Sequence, residues 1–147
     1  MTAKRNILVF MGTRPEAVKL APVVAALRDS SDFHCTVVAT GQHKEMFRQV
    51  ADTFGFAVDA DLDVMRPNQT LSQSTARIIA ALEPVLLAEK PDLVIVQGDT
   101  TTTFCGALAA FYHRIAVGHV EAGLRTGDLW QPFPEELNRV LTTRLAK

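Results

Sequence analysis

Short apolar runs alternate with longer stretches of helical period along this chain. Asn6 to Phe10, Phe33 to Thr40, Leu93 to Val96 and Ile115 to Val120 are each brief, rich in β-branched residues and bounded by polar or turn-forming residues. Runs of that kind read as strands buried on both faces of a parallel sheet. Between them the period changes. A first helix begins at Pro15, whose missing N–H costs nothing there, and extends through Leu27 with a kink near Pro22. Glu45 to Phe54 reads as a helix with Met46, Phe47, Val50 and Phe54 inward, ended by Gly55. Thr70 to Glu89 is a long helix with Leu71, Ile78, Ile79, Leu82, Val85 and Leu86 toward the core, bent at Pro84. From Thr101 a further helix carries Phe104, Leu108, Phe111 and Tyr112 on one broad face, and a last one starts at Pro134. Asp59, Asp61 and Asp63 alternate with Ala60, Leu62 and Val64, the pattern of a short half-exposed strand. Strand and helix in alternation predict an α/β fold, a parallel sheet flanked by helices.

Composition narrows the function. In 147 residues, 48% hydrophobic and 21% charged, there is material for one domain with a core and no signature of disorder. A net charge of -1 without basic runs argues against nucleic-acid or membrane-surface binding. No apolar run approaches the roughly 20 residues of a membrane span, and the start shows no secretory pattern. Cys35 and Cys105 are isolated and read as small buried hydrophobes, so a cytoplasmic location is expected. The alternating aspartates lack the glycine and terminal glutamate of a calcium loop, and no metal site is expected.

The candidate chemistry gathers where strands end. After Leu93–Val96, Gly98 frees the chain to turn, and Asp99 and Thr100 both suit a helix cap. Asp99 is therefore either a cap or a ligand-facing carboxylate in the crevice that open parallel sheets offer at their carboxyl edge. At the first helix start, with Thr13 or Arg14 in the cap region, free N–H groups, Arg14 and Lys19 make a diphosphate site; the competing reading is a solvated surface pair. Gln42 and His43 follow the second strand, and His119, Glu121 and Arg125 follow the last. The long loop carrying Trp130 and Phe133 leads to Glu135 and Glu136. A basic pair with several carboxylates on one rim suits a phosphate-bearing ligand that needs proton transfers. Gly12 is the only glycine of its turn, and neither the dinucleotide fingerprint nor the phosphate-loop lysine pattern occurs, so NAD, ATP and other cofactors are not expected.

Four segments carry a family resemblance: G-T-R-P-E-A-V-K (Gly12 to Lys19), G-D-T-T-T-T (Gly98 to Thr103), G-H-V-E-A-G-L-R-T-G-D (Gly118 to Asp128) and P-E-E-L-N-R (Pro134 to Arg139). Together they resemble the non-hydrolysing bacterial UDP-N-acetylglucosamine 2-epimerases, which interconvert UDP-N-acetylglucosamine and UDP-N-acetylmannosamine. The resemblance implies a Rossmann-like domain over residues 1–147, the first half of a GT-B-type pair, with the second, nucleotide-binding domain absent from this chain. It implies elimination of UDP to 2-acetamidoglucal and its re-addition, with little activity for this chain alone. It assigns Asp99, Glu121 and Glu135 to the catalytic work without dividing acid from base, and Arg14 and Lys19 to substrate binding. It implies UDP-N-acetylglucosamine as ligand and a homodimer at full length. Gln42 and Glu136 match positions of a second, regulatory substrate site, whereas Glu45 and Asn68 depart from its pattern. The alternatives are half of a GT-B-type glycosyltransferase, or a noncatalytic domain that binds ligand weakly or self-associates.

Overall fold

Each of the four apolar runs is a strand, and each strand feeds a helix. The elements are β1 (Arg5–Met11), α1 (Arg14–Asp29), β2 (Phe33–Ala39), α2 (Lys44–Phe54), β3 (Ala60–Asp61), α3 (Leu71–Glu89), β4 (Leu93–Gln97), α4 (Thr101–Tyr112), β5 (Ala116–Val120) and α5 (Glu135–Leu145). This computed structural model describes residues 3–41 and 44–147, so the expectations at Gln42 and His43 lie outside the described residues. The five strands are parallel, in the order β3-β2-β1-β4-β5. The expected Rossmann-like sheet is what the chain forms.

Two apolar layers fix it. Ile7, Val9 and Met11 of β1 face one way, with Val37, Ile95, Leu20, Val24 and Phe47. Leu8 and Phe10 face the other, with Val94, Val96, Ile78, Leu82 and Leu86. Central strands therefore need hydrophobes at every position, which is why they appear as unbroken runs.

Three expectations need correction. Along α4, Phe111 and Tyr112 are exposed, while Cys105, Gly106, Ala109 and Ala110 are buried. Small residues let the helix lie close to the sheet, so bulk marks its outer side. A Cβ at Gly106 would stand 2.5 Å from Cδ1 of Phe10 and 3.1 Å from Cγ1 of Val96. Gly106→Val is expected to destabilise the fold by about 2–3 kcal/mol, more than the gain of under ~1 kcal/mol from removing a helical glycine. Urea denaturation reads this directly; an unchanged midpoint would mean helix and sheet can part without loss.

Met46, Phe54 and Leu71, expected inward, are likewise exposed. The segment from Phe56 to Met65 forms only a two-residue strand. Its aspartates explain why. Asp59 accepts the Val37 N–H at 2.7 Å through its side chain and pairs with Arg28 at 2.6 Å. Asp61 accepts the Asp63 N–H at 2.9 Å, and Asp63 turns into the left-handed region at φ 48. Side chains have taken donors that a longer ladder would use. Cys35 and Cys105 are buried as expected, and burial pushes the Cys105 thiol up to about 11.

Candidate functional site

The strand order reverses direction between β1 and β4, the place where open α/β sheets bind ligands. A cleft of about 860 Å³ opens there, lined by Arg14, Glu16, Lys19, Gln97, Asp99 and Glu121, with Met46 and Leu124 as apolar walls. That volume falls within the range of small-molecule sites.

At the end of β1, Gly12 is required by close approach: a Cβ there would meet Oγ1 of Thr102 at 2.5 Å and of Thr40 at 2.6 Å. Thr13 then caps α1, its hydroxyl accepting the Glu16 N–H at 3.5 Å. Glu16 is 1% exposed and turns back on the same cap. Its Oε2 accepts the N–H groups of Thr13 at 2.5 Å and Gly12 at 3.1 Å. Its Oε1 accepts the Thr100 hydroxyl at 2.9 Å and lies 3.1 Å from the Thr103 hydroxyl. Burial raises the Glu16 pKa, against the lowering effect of these hydrogen bonds to Thr13, Thr100 and Gly12. Most of the expected cradle of free amides is therefore taken. The amides of Gly12, Thr13 and Glu16 are engaged, and Pro15 has none. The side chains of Arg14 and Lys19 are exposed on the rim of the cleft.

At the end of β4, Gly98 turns at φ 80, as expected. Thr100 caps α4 by accepting the Thr103 N–H at 3.1 Å, which decides against Asp99 as the cap. Asp99 instead meets Nη1 of Arg139 at 3.1 Å, while its carbonyl accepts Nδ2 of Asn138 at 2.9 Å. Arg139 is buried and donates through Nε to Oε2 of Glu136 at 2.5 Å. Beyond β5, Glu121 stands in the left-handed region at φ 57, an uncommon conformation for a residue with a side chain. Its Oε2 accepts from both Lys19 Nζ and Gln97 Nε2. Glu121 and Asp99 thus approach the cleft from neighbouring strands, each already beside a cation. The arrangement can hold an anion on its Arg14 and Lys19 side and place carboxylates against positive charge or an acidic C–H.

Residues 25–147 match the family model for UDP-N-acetylglucosamine 2-epimerase. The chain belongs to that family. A UDP-N-acetylglucosamine 2-epimerase of Yersinia pestis is 56% identical over 141 residues, 96% of this chain and 38% of the relative. The crystal structure of the Neisseria meningitidis UDP-GlcNAc 2-epimerase bound to UDP-GlcNAc superposes with a TM-score of 0.92 at 51% identity, over 96% of this chain and 39% of that one. The Methanocaldococcus jannaschii UDP-GlcNAc 2-epimerase in complex with UDP-GlcNAc and UDP gives 0.88 at 37% identity, over 96% and 38%. The chain therefore spans under two fifths of the length of these relatives.

Of the residues expected to serve this epimerase chemistry, Arg14, Lys19, Asp99 and Glu121 share the cleft. Glu135 opens into an adjoining depression of about 390 Å³ with Arg66, Asn68 and Gln69, separated by Thr13 and Thr100, which line both. Two other residues expected on the rim are engaged in local hydrogen bonds. His119 is held between the Gly98 carbonyl at 2.7 Å and the Thr143 hydroxyl at 3.3 Å, and Arg125 staples its own loop through the carbonyls of Ala122 and Leu124. Glu136, matched to a regulatory position, is 1% exposed. Burial pushes its carboxyl up, but the amides of Thr126 and Gly127 and the Arg139 guanidinium outweigh this and hold it below the usual carboxylate range. Sequence reasoning missed Glu16, Gln97 and Arg139. Only Glu16 had a readable signal, the T-x-x-E spacing of a capping box from Thr13. Among the described residues no cluster of three or more His, Cys, Asp and Glu is placed to hold a metal ion, and no helix is long and apolar enough to cross a membrane.

Proposed function

We propose that this chain forms one wall of a site that interconverts UDP-N-acetylglucosamine and UDP-N-acetylmannosamine. The observation that carries the reading is the pairing, in a chain of this family, of Asp99 and Glu121 with Arg14 and Lys19 across one cleft. The C2 hydrogen of the sugar has no neighbouring carbonyl, so direct deprotonation is very difficult. Loss of UDP from the anomeric carbon develops cationic character there and makes that hydrogen removable, giving 2-acetamidoglucal. Re-addition of UDP, with a proton delivered to the other face of C2, inverts the centre. Arg14 and Lys19 hold the diphosphate as it leaves and waits. Asp99 and Glu121 face the developing positive charge and the migrating proton, and Glu135 is the third carboxylate, approaching from the adjoining depression. A second domain supplying the uridine contacts and the opposite wall, a homodimer and a cytoplasmic setting belong to the same proposal.

The test is solvent isotope exchange. Incubated with UDP-N-acetylglucosamine in deuterium oxide, the full-length protein should place deuterium at C2 of both epimers, read by mass spectrometry. Transfer of the sugar to an acceptor without exchange would favour the glycosyltransferase reading, and neither outcome would leave a binding domain.

A further inference from the structure

Arg139 is the one buried arginine among the described residues, and its contacts form a chain with a direction. Glu136 is gripped first: its Oε1 accepts the N–H groups of Thr126 at 3.0 Å and Gly127 at 3.2 Å, in the loop between β5 and α5. Its Oε2 holds Nε of Arg139 at 2.5 Å. With that edge of the guanidinium pinned, Nη1 reaches Oδ2 of Asp99 at 3.1 Å. Asn138, one residue earlier on α5, fixes the Asp99 carbonyl at 2.9 Å. Asp99 is thus held by main chain and side chain from a helix about 40 residues further on, while its Oδ1 has no hydrogen-bond partner among the described residues. Charge completes the argument. A Glu136–Arg139 pair alone would be neutral and closed. A third group, Asp99, gives the triad a formal charge of -1, and Asp99 is the one of its two carboxylates that lines the cleft.

We propose that Arg139, anchored by Glu136, is a positioning residue that fixes one oxygen of Asp99 and presents the other to the cleft. This rests on the reading of Asp99 given above. An Arg is suited to the task because its planar fork spans two carboxylates at once, which the single ammonium of Lys cannot do in the same geometry. The merely structural alternative is that Arg139 only ties α5 to the turn after β4.

Two measurements separate these. In the full-length protein, Arg139→Met should lower kcat for C2 deuterium incorporation by roughly 100-fold while KM for UDP-N-acetylglucosamine moves by under ~3-fold, with Arg139→Lys between it and the parent. Independently of turnover, three-bond couplings to the Asp99 Hβ atoms in this chain should report one rotamer in the parent and averaged rotamers in Arg139→Met. If that variant does not fold, the same couplings in Arg139→Lys decide. A single Asp99 rotamer retained in a folded variant, or a lowered unfolding midpoint with kcat unchanged, would overturn the proposal. Absence of exchange in the parent would instead remove the epimerase reading, leaving the couplings to judge Arg139.

Discussion

Glu16→Ala is expected to destabilise the fold by about 3–5 kcal/mol, read as a lowered midpoint in urea at an unchanged slope. The removed carboxyl group serves three donors, the amides of Gly12 and Thr13 and the hydroxyl of Thr100, and lies 3.1 Å from a fourth polar group, the Thr103 hydroxyl. A lost capping interaction costs ~1 kcal/mol, and each buried donor left without an acceptor adds about 1–3 kcal/mol, less where water enters. Glu16→Gln keeps the shape and one acceptor, and should cost far less. The two variants also test the proton. Thr103 has a single hydroxyl hydrogen, and its contact to the Gln97 carbonyl at 2.6 Å is shorter than its 3.1 Å contact to Glu16. With that hydrogen on Gln97, a proton on Glu16 Oε1 completes the second contact. Burial raises the Glu16 pKa, so folding favours proton uptake there. The sign follows: the stability this adds is full below the ordinary glutamate value, near 4.5, and is lost as pH rises through the higher folded value. The parent's advantage over Glu16→Gln should therefore be greatest in acid and shrink toward neutral pH. Glu136, held below the usual range, acts oppositely, losing its contribution as pH falls. Only the difference between parent and variant isolates Glu16; a difference that grows with pH would refute a shared proton.

Asp99→Asn is expected to remove C2 deuterium incorporation from the full-length protein, by roughly 10²–10⁴-fold in kcat, with the fold intact. Asparagine preserves size and can still accept from Arg139, so packing changes little. What it cannot do is carry charge or take up a proton at this pH. With the diphosphate on Arg14 and Lys19, as proposed above, UDP-N-acetylglucosamine binding by calorimetry should change by under ~10-fold. Exchange persisting near the parent rate would exclude Asp99 from the proton path and leave Glu121 and Glu135 to account for it.

The sequence displayed the sheet well because the central strands are buried on both sides, so Leu8 to Met11 and Val94 to Val96 must be apolar without interruption. It displayed α4 poorly because close packing selects alanine, glycine and cysteine, which carry little periodic signal, while the conspicuous Phe111 and Tyr112 lie outside. The site was legible where residues sit directly beyond strand ends: Arg14, Asp99 and Glu121 follow β1, β4 and β5 by no more than three positions. Arg139 was not, since an arginine in the second turn of a helix ordinarily faces water, and only the tertiary position of α5 places Asp99 beside it. The helix start of α1 misled for a related reason. A row of amides looks open to an anion until one asks whether the chain has already furnished its own.

The bond between Lys19 and Glu121 also has a dynamic meaning. Both side chains are about half exposed, a setting in which an ion pair is worth under ~1 kcal/mol and exchanges readily. In the proposed site, an incoming pyrophosphate bids for the same ammonium. A pyrophosphate that took the place of Glu121 on Lys19 would leave that carboxylate tethered to Gln97 alone, so that in the proposed site the occupancy of one cation is coupled to the freedom of the carboxylate beside it.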